Sequence, residues 1–264
     1  MPRPALVLIP PSLGKAAGGR KAAGTGSFDE ALAEPRAQVV TALAQTLRSK
    51  ERGLQAKVFG AEGELLDRAI DSARAVVEHR AVFLPAWRRY TGVVWANLEP
   101  STLTAQQRRR LLVPSGLYGV TTGSDPVADY RLGMQGELGR LGSLRSHWKG
   151  PITELLVGRL KGRTVFNLLP AEHALAIDLT QLAAVTNLVD VRFVSNDGRH
   201  AVGHDAKAAK GQLVRLLLEG GITSAAEFNW YGWTAVFDGQ RLEVIAPASR
   251  VTRPPMDLAR GGHR

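Results

Sequence analysis

Apolar and polar positions alternate between two periods along this chain. Residues 5–9 form a near-continuous apolar run of strand length, the pattern of a strand buried on both faces. Pro10 and Pro11 close it. The run is too short for a signal-peptide core, so it is read as an N-terminal strand. Residues 10–27 are rich in glycine and alanine, carry Lys15, Arg20 and Lys21, and hold no acid before Asp29; they read as a flexible basic loop. Pro35 opens a helical stretch with Val39, Val40, Leu43 and Leu47 at helical spacing. A glycine-punctuated segment, 53–63, separates it from a second helix over about 64–79. Pro85 begins another helix, carrying Trp87, Tyr90 and Trp95, and Ser101 or Thr102 can cap the next.

The second half mixes the periods. Residues 111–114 are strand-like and run into Ser115-Gly116-Leu117-Tyr118-Gly119; 123–129 read as loop. Residues 144–160 have helical periodicity, with a break expected at Gly150-Pro151. Strands are expected at 163–169 and 189–195, the latter ending in an Asn196-Asp197-Gly198 turn. A helix over 205–219 stops at Gly220-Gly221. Residues 234–237 and 241–245, joined by Asp238-Gly239-Gln240, form a hairpin. The sum is an α/β protein: one domain over 1–246, with a mixed central sheet surrounded by helices and a C-terminal hairpin. Residues 247–264, with three prolines and four arginines, form a basic tail expected to be disordered.

Composition narrows the chemistry. The absence of cysteine excludes disulfides, thiolate metal sites and cysteine nucleophiles. No apolar window of about 18 residues exists to span a membrane. With 44% hydrophobic residues a sizeable core can form. The net charge of +10 favours polyanionic partners.

Several segments could carry chemistry. Ser12-Leu13-Gly14-Lys15 follows a strand, but lacks the first glycine and the hydroxyl after lysine that a P-loop needs. As a Ser-x-x-Lys acyl-transfer pair it lacks the partner motifs. Backbone amides of such a loop with one lysine can still cradle a phosphate. The glycines around Tyr118 permit a tight turn, and Tyr118 is a candidate for stacking on a base. Arg131 can clamp a phosphate or pair with Asp125 or Asp129. In the helix after Gly203-His204-Asp205, Ala206, Ala209, Leu213, Leu216 and Leu217 share an apolar face, and Lys207, Lys210 and Arg215 lie away from it. Two lysines near a helix N-terminus oppose its dipole, and a bound anion would relieve that. Asp205 as N-cap would offset it in part. His200 with His204, and Glu172-His173, are weak metal candidates; no metal or cofactor is expected. The five tryptophans read mainly as core.

Taken together these segments resemble the YaaA family of bacterial peroxide-stress proteins, from the first strand to about Phe228. The family's serine and lysine after the first strand are matched by Ser12 and Lys15. Its Ser-Gly-Leu-Tyr-Gly turn stands unchanged at 115–119, and its Tyr-Arg-Leu-x-Met at Tyr130, Arg131, Leu132 and Met134. Trp148, Asn167-Leu168, and the basic helix start at Ala206, Lys207, Ala209, Lys210 and Gly211 follow in order. The resemblance implies a compact mixed α/β fold with a helix-hairpin-helix-like DNA-binding element, for which 53–63 is the candidate, and a role in limiting iron-driven DNA damage. It brings no catalytic residue. Departures fall at Leu13-Gly14, at His173 in place of a usual tyrosine, and at His204 and Asp205.

The expectation is therefore a cytoplasmic, monomeric, DNA-binding stress protein. Ser12, Lys15, Arg131, Lys207 and Lys210 would line a phosphate-accepting cleft, with Tyr118 available for stacking. The alternative is an enzyme acting on a nucleobase, nucleotide or damaged DNA through the same cleft, with a lysine as nucleophile or base.

Overall fold

The computed structural model describes residues 3–21, 24–196, 198–199, 201 and 203–248. The first half runs β1 (Leu6–Leu8), α1 (Ala33–Arg48), α2 (Arg52–Phe59), α3 (Gly63–Val77), β2 (Phe83–Pro85), α4 (Ala86–Arg89), α5 (Val93–Leu98), α6 (Ala105–Arg109), β3 (Leu111–Ser115), β4 (Gly119–Thr122) and β5 (Pro126–Ala128). The second half runs β6 (Glu137–Leu138), β7 (Gly142–Ser143), α7 (Leu144–Leu160), β8 (Thr164–Asn167), α8 (Ala171–Ala174), α9 (Leu179–Val185), β9 (Asn187–Val194), α10 (His204–Ala226), β10 (Asn229–Trp230), β11 (Trp233–Phe237) and β12 (Arg241–Ile245). The tail from 249 onward lies outside the described residues.

Eight strands form one mixed sheet in the order β10-β11-β12-β9-β8-β1-β3-β4. Its inner five, β3-β1-β8-β9-β12, are parallel, and β4, β10 and β11 add antiparallel edges. Among the parallel strands the order along the chain is second, first, third, fourth, fifth. The direction of strand addition therefore reverses between β1 and β8. In open α/β sheets, ligands bind beyond the carboxyl ends of the strands at such a reversal. β1 is wholly buried, as its unbroken apolar run requires, whereas β9, β11 and β12 alternate buried and more exposed positions.

Helices enclose the sheet. α7 packs on α9, α1 on α3, and α10 crosses α5 while reaching β1. The α10–α5 contact explains Gly211. A Cβ there would run into the carbonyl of Val94 and come within 2.8 Å of the Leu98 amide nitrogen. Gly211→Ala is expected to lower stability by about 2 kcal/mol through overpacking, outweighing a helix-propensity gain of about 1 kcal/mol. Chemical denaturation measures this; an unchanged midpoint would mean the helices part freely.

The described elements match the expected class, with local corrections. The loop at 10–27 is pinned over its described part: Lys15 and Arg20 form bridges with Tyr90 and Phe83. Those pairings also split the helix expected from Pro85 into α4 and α5. Thr104, not Ser101 or Thr102, caps α6, in a capping box with Gln107. The 123–129 loop contains β5, which pairs with β2. α7 runs unbroken through Pro151 because Trp148, Ile152 and Leu156, on both sides of it, are buried in one core. The segment 53–63 is mostly helix α2, leaving a short turn at Gly60-Ala61-Glu62 before α3. α10 starts at His204 with Gly203 as N-cap, so Asp205 lies inside the helix; where a stop was expected at Gly220-Gly221 the chain kinks at Gly221 (φ 65°) and helix resumes to Ala226.

Candidate functional site

A cavity of about 500 Å³ opens at the carboxyl ends of β1 and β8, where the strand order reverses. Its walls come from the strap that follows β1, the start of α5, the segments after β3, β5 and β8, Phe193 of β9, Ala201 and the first turns of α10. The strap is fixed at both ends of this stretch. Trp95 donates its indole N–H to the Pro10 carbonyl at 3.1 Å, and Thr91 N–H donates to Gly14 O at 3.2 Å. Beyond the cavity, the Ala16 amide donates to Arg89 O at 2.9 Å.

Lys15 turns back into this space. Its Nζ donates to the Ser12 carbonyl at 3.0 Å and sits 4.1 Å from the centre of the Tyr130 ring and 5.6 Å from that of Tyr90. Burial lowers its pKa to about 7; Asp129 pulls the other way, while Arg131, Arg89 and Arg68 add to the lowering. Asp129 is itself ion-paired with Arg68 at 3.0 Å. Lys15 therefore lacks a carboxylate of its own among the described residues, and about half of it is uncharged near neutrality.

Tyr130 joins a buried hydroxyl chain. Its OH lies 2.7 Å from Ser115 Oγ and 3.0 Å from the Tyr90 OH. Ser115 Oγ accepts from the amides of Leu117 and Tyr118, at 3.2 and 3.1 Å. With both lone pairs occupied, its proton goes to Tyr130, whose OH also shares a hydrogen bond with Tyr90. The Ser-Gly-Leu-Tyr-Gly sequence is thus a turn whose serine holds its own backbone and aligns Tyr130. Its last glycine is obligatory: Gly119 has φ 74°, and a Cβ would fall 2.6 Å from the Trp148 ring.

On the opposite wall, Lys210 donates to Leu168 O at 2.9 Å, just past β8, with Nζ 5.3 Å from the Phe193 ring centre. Burial, aided by Lys207, lowers its pKa to about 8. His173 is half-buried; the loss of solvent lowers its pKa, and Glu172 at 3.6 Å from Nδ1 only partly counters this. Nδ1 has no hydrogen-bond partner. Lys207 is exposed at the rim, where α10 begins with no side-chain cap.

The structure thus brings Ser12, Lys15, Lys207 and Lys210 to one cavity, and leaves two expected residues out of it. Arg131 lines an adjoining hollow of about 350 Å³ and donates to Phe59 O and Gly60 O, both at 3.0 Å, closing the C-terminal end of α2. It pairs with neither Asp125 nor Asp129: Asp125 is taken by Ser27 and Thr122, and Asp129 by Arg68. Tyr118 packs behind the wall, edge-on to Tyr130 at 5.7 Å, with its OH accepting from the Ala128 amide at 3.1 Å. Held this way it offers no free face to a base. Lys210 departs from the solvated position its helical spacing suggested, because its long stem carries Nζ inward. Trp95 was legible only as a core aromatic, Tyr90 only as a helix residue, and nothing in the local sequence marks Phe193. Among the described residues no group of three or more metal-ligating side chains exists; His200 lies outside them. No helix among them is long and apolar enough to cross a membrane.

A doubly wound mixed sheet with a lysine-lined cavity at its strand-order reversal defines the class: an α/β protein with its cavity at the carboxyl ends of parallel strands. Comparison with known sequences places it further: residues 6–235 match the family described as peroxide stress protein YaaA, and the chain belongs to that family. The UPF0246 protein SCO2297 of Streptomyces coelicolor is 35% identical over 223 residues, covering 82% of this chain and 84% of that protein. The UPF0246 protein CE1889 of Corynebacterium efficiens is 32% identical, covering 80% and 84%. The UPF0246 protein TM1040_2658 of Ruegeria sp. is 33% identical over 159 residues, covering 54% and 61%. Membership supports a role in peroxide stress.

Proposed function

We propose that this protein acts in the cytoplasm as a monomer that grips the DNA backbone and limits iron-driven oxidative damage to it. The observation that carries the reading is the start of α10, where Gly203 supplies no capping side chain and exposed Lys207 stands in the first turn, opening on the cavity. The positive end of a helix dipole and a nearby ammonium together favour a phosphate. The net charge of +10 supports the same partner. The α2–turn–α3 unit is the counterpart of the expected hairpin, but its turn region carries two acids that repel phosphate, Glu62 and Glu64, against one, Asp205, beside Lys207 in the first turn of α10. First contact is therefore assigned to α10.

Affinity for duplex DNA should fall steeply with salt, because each neutralised phosphate releases counterions. Lys207→Ala should flatten the slope of log affinity against log salt by about 1 and weaken all sequences alike. Its stability should barely change, since the side chain is exposed. Lys210 is unsuited to this test because its Nζ is tied to Leu168 O. Fluorescence anisotropy across a salt series measures the effect; binding that is absent, or insensitive to salt, removes the reading. The second reading, an enzyme acting on damaged DNA or a nucleotide, is favoured by one observation: Lys15, buried without a carboxylate partner, faces the cavity.

A further inference from the structure

We propose that Lys15 is the nucleophile of an imine-forming site, condensing with the aldehyde of a phosphorylated 2-deoxyribose, supplied by an abasic position in DNA or by the free sugar phosphate. The proposal builds on the DNA reading above for the first of these two sources. It stands on the layout of the cavity. One wall presents the Lys15 amine, buried against the Tyr130 ring and held by the Ser12 carbonyl. The cavity is also lined by Lys210 and, at the rim, by Lys207 in the first turn of α10. A ligand that satisfies both walls has a carbonyl carbon at one end and a phosphate at the other.

The rest of the lining is largely apolar, with Val94, Trp95, Leu132, Met134 and Phe193. Such walls accept a sugar ring, and they favour a step that expels water. A lysine of ordinary pKa is almost wholly protonated at pH 7. With its pKa at about 7, Lys15 offers on the order of 10³-fold more free amine. The step balances without an oxidant or reductant. The nitrogen lone pair forms the C–N bond as the carbonyl π pair moves to oxygen. The carbinolamine C–O bond then breaks, and the oxygen leaves as water with the two protons given up by the amine. Oxidative attack on DNA releases bases and leaves such aldehydes in the strand, so the chemistry suits a protein of peroxide stress.

The test uses the full chain with two probes in sodium cyanoborohydride: a labelled duplex holding one abasic position, and free 2-deoxyribose 5-phosphate. Reduction of an imine leaves a stable covalent adduct, read on a denaturing gel or by intact mass, and peptide mapping should place it on Lys15. Lys15→Met and Lys15→Arg should each reduce its rate on the order of 100-fold. Mapping on the wild type keeps the test decisive should either variant fold poorly. An adduct spread over other lysines, one unchanged in the variants, or none with either probe overturns the proposal. Adduct at Lys15 with the free sugar phosphate only, in a chain that does not bind duplex, keeps the imine site and removes the DNA reading. Salt-sensitive DNA binding with no adduct at Lys15 does the reverse.

Discussion

Arg89→Met is expected to destabilise the folded protein by about 3–5 kcal/mol, more than any other single polar substitution considered for it. Arg89 is fully buried and donates to four carbonyls: Val127 at 3.1 Å, Gly18 and Val82 at 3.0 Å each, and Ala16. These carbonyls belong to the strap after β1, to β5 and to the residue before β2, segments otherwise joined by the β2–β5 pairing and the Arg20–Phe83 bridge. Removing the guanidinium leaves them buried without donors, and each such group costs about 1–3 kcal/mol unless the chain opens to water. Opening is the cheaper response, so the strap should loosen and trypsin should cut after Lys15 or Arg20 far sooner than in the wild type. Arg89→Lys should recover less than half of the loss, since a single ammonium cannot reproduce the planar fork. Urea denaturation and limited proteolysis together decide it. A loss below about 1 kcal/mol, with the strap still resistant, would show that other contacts hold this wall.

The framework of this fold is legible in the sequence because local pattern and tertiary demand agree there. Residues 5–9, 111–114 and 163–169 read as strands from their apolar runs, and the Asp238 hairpin from its turn chemistry. Asp238 accepts from the amides of Gln240 and Arg241 as such a turn requires. What the sequence hides is pairing at a distance. Whether Tyr90 is helical depends on a bridge to Lys15, 75 positions away, and β5 exists only because β2 lies beside it. Pro151 marks a break by local rules, yet burial on both sides carries the helix through it.

The site divides along the same line. Lys15, Lys207 and Lys210 were visible as cations after a strand or at a helix start. That two of them turn inward and are half-buried depends on Tyr130, Phe193 and Trp95, which arrive from three other segments. Arg131 and Tyr118 stand in the same kinds of motif, yet serve as a clamp on α2 and as packing behind Tyr130. Residue type and spacing alone do not separate a ligand-facing arginine from one that closes a helix end.

Lys15→Met is expected to raise stability at neutral pH, on the order of 3 kcal/mol, with the gain fading as pH rises. Above pH 10.5, the ordinary lysine value, Lys15 is uncharged both folded and unfolded, and its burial carries no protonation penalty. As pH falls from 10.5 to about 7, the unfolded chain takes up a proton that the folded protein refuses, so the wild type loses stability across that window. Below about 7 both states are protonated and the penalty stays constant. Methionine fills similar volume against the Tyr130 ring without this cost. It forfeits the bond to the Ser12 carbonyl, which makes the variant slightly less stable than the wild type at the alkaline end. Lys210 titrates in an overlapping window, from 10.5 down to about 8, but is present in both proteins and cancels in the difference. The measurement is urea denaturation of both proteins at several pH values between 6 and 10. A difference that does not vary with pH, or a variant less stable at pH 7, would mean that Lys15 keeps its proton in the folded state. A residue whose removal stabilises the fold by this much is retained for what it does in the cavity, since packing alone selects the methionine.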